Sequence, residues 1–240
     1  DTDTVEIEGK IQDFIDAYNT INSVIQDQFT FDPETGRAGA LSGDATLRSI
    51  QNTLQSLVVG GVTDADGNRY SLGSIGIDIN GKTGELSLDS GRLQEVLEGD
   101  DKELLLDLFM VRGTASNNNV SYVTSTDATQ AGTYSINITG DDGNGNVTGT
   151  FTLNGDVFVG VGQGNILIGP EGTAAEGLKV RISNGATGDL GTLFLSVGVA
   201  EQFERQLDGY IAQITGLLPS LDDSLEEQIN PQVLGGLRIS

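Results

Sequence analysis

The chain has 240 residues and carries 35 Asp and Glu against 12 Lys and Arg, a formal net charge of −23. Such acidity repels phosphate and anionic lipid, which argues against nucleic-acid binding and against a basic membrane-surface patch. The absence of His and Cys excludes Ser-His-Asp triads, thiol nucleophiles, imidazole bases, Cys/His zinc sites and disulfides.

No stretch approaches the roughly 18 consecutive apolar residues of a membrane helix, so no membrane insertion is expected. Hydrophobic residues make up 37% of the chain, but aromatics only 5%, with no Trp. That composition predicts a Leu/Ile/Val core and no aromatic platform for stacking bases. Asp1 in first position reads as part of a longer chain.

Residues 1–112 read as mostly helical. Ile7, Ile11, Phe14, Tyr18, Ile21 and Ile25 recur at spacings of 4, 3, 4, 3 and 4. This is a heptad seam rather than a broad apolar stripe. Asp32-Pro33-Glu34-Thr35-Gly36 has turn chemistry and ends the run. Asp44 stands at an N-cap position, ahead of Leu47, Ile50, Leu54 and Leu57 at helical spacing. Gly60-Gly61 stops that helix. Near 74–89, Ile75, Ile77 and Ile79 alternate with polar or small residues. Asn80-Gly81-Lys82-Thr83-Gly84 turns the chain, and Leu86 and Leu88 alternate in return, which predicts a β-hairpin. Short helical segments follow at Leu93–Leu97 and Leu104–Phe109.

Residues 113–198 change character. They hold 17 of the 34 glycines and two of the 12 basic residues, Lys179 and Arg181. Period-2 runs at 133–139, 150–153, 178–182 and 192–197 alternate with Gly-, Asn- and Asp-rich turns, which predicts a small antiparallel β domain. Phe158–Gly162 reads as a further strand or a glycine-softened loop. Helical spacing returns in Phe203, Leu207, Tyr210, Ile214 and Leu217. Pro219 breaks or kinks that helix, and Leu221, Leu225 and Ile229 mark a short amphipathic piece beyond it.

The expected fold is therefore α+β. Residues 1–112 and 199–240 form an antiparallel helical bundle or coiled coil carrying the hairpin, and 113–198 form an inserted β domain. The two seams, Ile7 to Ile25 and Phe203 to Leu217, pack on each other or on other subunits. An insertion of this kind requires its two ends to lie close together.

Several segments imitate functional motifs. Gly76-Ile77-Asp78-Ile79-Asn80-Gly81-Lys82-Thr83 matches the P-loop pattern letter for letter. A P-loop must follow a buried strand and open a helix, whereas Ile77 and Ile79 belong to the hairpin and Gly84 follows at once. Asp64-Ala65-Asp66-Gly67-Asn68 and Asp141–Asn146 resemble pieces of calcium loops, but the EF-hand spacing fails and tight turns select the same residues. The carboxylate pairs Asp100-Asp101, Asp222-Asp223 and Glu226-Glu227 read as solvated faces. No catalytic residue, cofactor-binding residue or metal ligand is assigned, and no enzyme activity is expected.

The first part resembles the C-terminal half of the flagellar hook-associated protein 2 family, the filament cap proteins. The resemblance lies in Phe14–Asn19, Asp32–Gly36, Leu41–Ile50, Leu72–Ile77, Gly84–Asp89 and Asp107–Phe109, in that order across about residues 5–112. Ala131–Tyr134 and Ala175–Leu178 resemble insertions of some cap proteins and flagellin-type domains. Residues 200–218 resemble the family's returning helix. The resemblance implies an extracellular structural protein at the tip of the bacterial flagellum. It also implies a homo-oligomer whose partners are flagellin and other hook-associated proteins, with no enzyme site and no cofactor. The alternative is an extracellular adhesin acting through the β insertion.

Overall fold

The computed structural model describes residues 2–29, 31–32, 37–38, 45–99 and 102–210. The chain forms two compact units, Asp1–Glu201 and Gln202–Ser240. Helices and antiparallel sheets both contribute, so the class is α+β.

The first unit opens on α1 (Thr2–Phe29). Its buried residues Ile11, Ile15, Tyr18, Asn22 and Ile25 follow spacings of 4, 3, 4 and 3, which places them on one stripe. Two-residue strands β1 (Phe31–Asp32) and β2 (Arg37–Ala38) pair antiparallel. The turn expected at 33–36 and the cap expected at Asp44 lie outside the described residues. Helix α2 (Ala45–Gly60) buries Leu54 and Val58. Gly61 follows it at φ 69°, in the left-handed region where glycine carries no Cβ penalty.

Two hairpins come next. The first joins β3 (Val62–Thr63) to β4 (Arg69–Tyr70). After a 3-10 turn at Leu72–Ile75, β5 (Ile77–Ile79) pairs with β6 (Leu86–Leu88), with Ile77 opposite Leu88. Asp89 caps α3 (Ser90–Glu98): its carboxylate accepts from the amides of Gly91 and Arg92 at 3.0 and 3.1 Å. Helix α4 (Lys102–Phe109) completes this layer. Helix α1 packs on β6, α2 and α3.

Between Arg112 and Ser196 the chain is all β. The nine strands are β7 (Arg112–Ala115), β8 (Val120–Thr124), β9 (Gly132–Asp141), β10 (Val147–Leu153) and β11 (Asp156–Val159), then β12 (Val161–Gln163), β13 (Ile166–Ile168), β14 (Lys179–Ile182) and β15 (Gly188–Ser196). They form a five-stranded sheet ordered β11-β10-β9-β15-β7 and a four-stranded sheet ordered β12-β13-β14-β8. Alternate residues of both sheets share one core. Tyr134, Ile136, Phe151, Leu193 and Leu195 come from the first sheet, and Leu167 and Val180 from the second; each is fully buried. This is sandwich packing.

The run at 158–162 is two strands. The chain leaves one sheet and joins the other at Gly160, where a Cβ would lie 2.6 Å from the Leu167 side chain. The sandwich is left beside the point where it is entered. Arg112 on β7 pairs with Ser196 on β15, and the Gly198 amide donates to the Met110 carbonyl at 3.1 Å. Gly198 must be glycine for this approach, since a Cβ would sit 2.3 Å from the Phe109 carbonyl carbon.

Residues 199–210 are helical. Phe203 is buried, and Leu207 and Tyr210 are half-buried. Ile214, Leu217, Pro219, the apolar repeat at 221–229 and the three carboxylate pairs lie outside the described residues.

Candidate assembly surface

The opening seam divides into a fully packed face and an open one. Ile11, Tyr18 and Ile25 are buried, Phe14 and Ile21 are half-buried, and Ile7 is 38% exposed. Ile15 and Asn22 are also buried. The closed face therefore centres on Ile11, Tyr18 and Ile25, with Ile15 and Asn22 on its inner flank and Phe14 and Ile21 on its outer one.

Polar side chains fix the closed face to the hairpin. Asn19 Nδ2 donates to the Leu86 carbonyl at 2.8 Å, and Asn19 Oδ1 accepts from the Leu86 amide at 2.8 Å. The side-chain amide thus acts as a neighbouring strand residue and covers the outer edge of β6. One turn on, Asn22 Nδ2 and Gln26 Nε2 both donate to the Thr83 carbonyl, at 2.8 and 2.9 Å. Gly84, at φ 69°, makes room for this clamp; a Cβ there would lie 2.9 Å from Gln55 Nε2 and 3.3 Å from Asn22 Oδ1. Buried polar groups hold a register because leaving them unpaired costs more than the bond itself gains. Sequence reasoning missed Asn19 and Asn22. The available signal was an Asn three residues after Asn19, lying within the apolar seam.

The open face lies between the first half of α1 and α4. A groove of about 440 Å³ is lined by Ile7, Phe14, Leu105, Leu106, Phe109 and Met110, among others. Phe14 and Phe109 meet edge to face, with centroids 5.7 Å apart and planes at 80°, a favoured aromatic geometry. Leu106 and Met110 remain 44% and 54% exposed. The groove is thus a contiguous apolar opening on a chain of charge −23.

The motif look-alikes resolve into turns. Gly76–Thr83 contains β5 and then a loop in which Asn80 Oδ1 accepts from the amides of Lys82 and Thr83. No helix opens there, and the Thr83 carbonyl is engaged by α1. The two Asp-rich loops share one construction. Asp64 Oδ1 accepts from the amides of Asp66 and Asn68 at 2.9 and 2.8 Å, and Asp64 Oδ2 from Asn68 Nδ2 at 2.9 Å. Asp142 does the same with Asn144 and Asn146, at 2.8, 3.1 and 2.8 Å. Gly67 and Gly145 take φ 86° and 85° at the matching position.

The Asn146 side chain, followed by the Asn146 and Asn144 amides, pulls the Asp142 carboxyl down to about 2. The Asn68 side chain likewise leads in lowering Asp64. Both carboxylates therefore serve their own loops. Among the described residues, no group of three or more His, Cys, Asp or Glu could hold a metal ion. A hollow of about 290 Å³ between the Asp142 loop and residues 182–187 is lined by groups such as Asp141, Asn165 and Asn184, and none of its lining residues is aromatic. No described helix is long and apolar enough to cross a membrane.

Comparison with known proteins identifies the family of the chain. The family model of the flagellar hook-associated protein 2 C-terminus matches residues 1–232. The polar flagellar hook-associated protein 2 of Vibrio parahaemolyticus is 30% identical over 102 residues, which cover 42% of this chain and 15% of that protein. Flagellar hook-associated protein 2 of Escherichia coli K12 is 30% identical over 105 residues, or 41% and 22% of the two chains. The lateral flagellar hook-associated protein 2 of V. parahaemolyticus is 33% identical over 95 residues, or 40% and 20%. The chain thus matches less than a quarter of the length of these relatives. No solved structure matches it. The family match runs through the α1 clamp, the groove and the whole sandwich, and the chain belongs to the flagellar hook-associated protein 2 family, in its C-terminal part.

Proposed function

We propose that the protein containing this chain caps the flagellar filament at its tip and promotes flagellin polymerisation there. It acts outside the cell as a homo-oligomer, with flagellin and other hook-associated proteins as partners. It performs no enzymatic step and needs no cofactor. The carrying observation is the family match over residues 1–232.

The geometry supports the reading in two ways. Apolar side chains line an open groove, while the Asp64 and Asp142 carboxylates are spent on their own loops. The sandwich enters and leaves through paired neighbours, Arg112 and Ser196. In this reading 1–112 and 199–240 are the coiled-coil-like body, and 113–198 are a head inserted into it. The seam residues Ile7 to Ile25 and Phe203 to Leu217 supply the helix packing of that body, within one subunit or between subunits.

Immunogold electron microscopy of the native organism, with antibody to residues 113–198, tests the proposal. Gold confined to filament tips is the expected result. Gold on the cell body away from flagella overturns it.

A further inference from the structure

Strand β11 is the outer strand of the five-stranded sheet, and no described strand pairs with its free side. It also carries the most exposed apolar side chains of the sandwich. Val157 and Val159 are 61% and 72% exposed, and Val161 just beyond is 59% exposed. Phe158, between the two valines, packs instead against the sandwich core.

The backbone polarity of this edge follows from its hairpin. Asn154 and Gly155, both at positive φ, join β10 to β11 as a two-residue turn, with Leu153 opposite Asp156. The pair flanking such a turn is hydrogen-bonded, and bonded and non-bonded pairs then alternate along the ladder. Asp156 and Phe158 therefore bond to β10. The N–H and C=O groups of Val157 and Val159 point away from the sheet.

Natural edge strands are usually protected by lysine, proline or a covering element. This edge has none among the described residues. From Val157 to Gln163 the chain carries no charge at all, within a molecule of net charge −23.

We propose that this edge pairs antiparallel with the β11 edge of a second copy of the chain, across a two-fold axis at Phe158. Two observations select that occupant. The first is charge: two strongly acidic molecules approach most easily through an uncharged segment, and this is an uncharged segment with free backbone donors and acceptors. The second is register. With Phe158 opposite Phe158 of the second copy, Val157 faces Val159 on each side of the axis. Both are outward-bonding residues, so each pair exchanges two bonds and the edge gains four. Asp156 then faces Gly160, and no carboxylate meets another. A two-fold contact must be self-complementary in this way. The pairing does not rest on the capping role. A chain that pairs here but never reaches a filament tip would sink that role and leave this inference standing.

Sedimentation equilibrium of the full chain at high ionic strength, combined with amide exchange by NMR, tests the proposal. The expected result is a reversible dimer in which the Val157 and Val159 amides become protected as concentration rises. Val157→Lys with Val159→Lys places like charges directly opposite one another and should weaken the dimer roughly tenfold or more. The same change lowers the net acidity, so association driven by overall charge would strengthen instead. Val159→Pro removes one outward donor and leaves the bonds to β10 in place. It should weaken the dimer without changing the monomer's circular dichroism. Three results each overturn the inference: a chain monomeric at every concentration, a dimer unaffected by the lysines, or Val157 and Val159 amides already protected in the monomer.

Discussion

The helical layer and the β sandwich bury their apolar residues in different ways. The core between the two sheets of the sandwich closes on itself, with the β11 edge left outside it. Tyr134, Ile136, Phe151, Leu167, Leu178, Val180, Leu193 and Leu195 are all at 0% exposure. The helical layer closes on one side only. Its inner face is sealed by Tyr18, Ile75, Leu93 and Leu108, while Ile7, Leu106 and Met110 line an open groove. Two facing sheets offer complete surfaces to each other, because alternate residues of every strand point inward. A long helix beside short ones covers only part of their combined apolar surface, and the remainder stays exposed.

The largest effect should come from the closed region. Phe151→Ala empties a fully buried ring position that meets Tyr134 edge to face at 6.3 Å. A loss of about 3–5 kcal/mol is expected from denaturant unfolding of the sandwich. A loss below ~1 kcal/mol would mean that the sandwich core is as loose as the groove.

Alkaline pH should stress both regions through their buried phenols. Burial raises Tyr18 in the helical layer and pushes Tyr134 up to about 12 in the sandwich. A raised phenol favours the neutral form in the fold. Its contribution is therefore complete below pH ~10, the unfolded value, and is lost as pH rises toward about 12. The Tyr134 hydroxyl lies 2.7 Å from both the Gln130 and Ala174 carbonyls, to which it donates. Tyr134→Phe should cost roughly 1–2 kcal/mol at neutral pH by removing that donor, and it should flatten the alkaline loss. Denaturant midpoints at pH ~9 and ~11 check both effects; an unchanged slope in Tyr134→Phe would rule this tyrosine out as the source.

Asn19→Ala tests the clamp in the helical layer. It strips the Leu86 amide and carbonyl of their partners on a residue only 4% exposed. The expected cost is about 1–3 kcal/mol. Asn19→Asp keeps the acceptor and loses the donor, so it should restore part of that stability. Equal losses in both variants would show that the amide donor dominates the clamp.

The sequence reveals elements whose signal is local. Strand β9 alternates burial at Tyr134, Ile136 and Ile138, as its period-2 pattern requires. The Asp64 and Asp142 loops read as turns because their Asp, Gly and Asn positions carry the bonding pattern themselves. Helix α1 is visible in its period, but the orientation of its buried face is not. Ile11, Tyr18 and Ile25 fit either phase, and only contacts with the hairpin place Asn22 inside and Phe14 at the shoulder. The partner of Asn22 lies 61 residues away, beyond the reach of any periodicity. Strands β7 and β13 gave no usable pattern. β7 reads Arg-Gly-Thr-Ala and depends on β15 for its pairing, while β13 is three residues long.

The smallest effect on stability should fall at the groove. Leu106 is 44% exposed on α4, so Leu106→Lys removes little buried area. The residue lies on the rim of a surface whose inner side is held by the Phe14–Phe109 pair. Unfolding free energy should change by no more than about 0.5 kcal/mol, as for most exposed substitutions. Contacts made through the groove would respond differently, because a lysine there places an ammonium group where a partner's apolar side chain would sit, and an unpaired buried charge is costly. In the full protein the variant should therefore fold normally but support poorer filament growth, read as shorter filaments by electron microscopy. Loss of stability comparable to Phe151→Ala would mean that the groove is part of the closed core. Normal filaments on a normally folded variant would mean that this face carries no assembly contact, and the contrast between the closed sandwich and the open helical layer would then have no functional consequence.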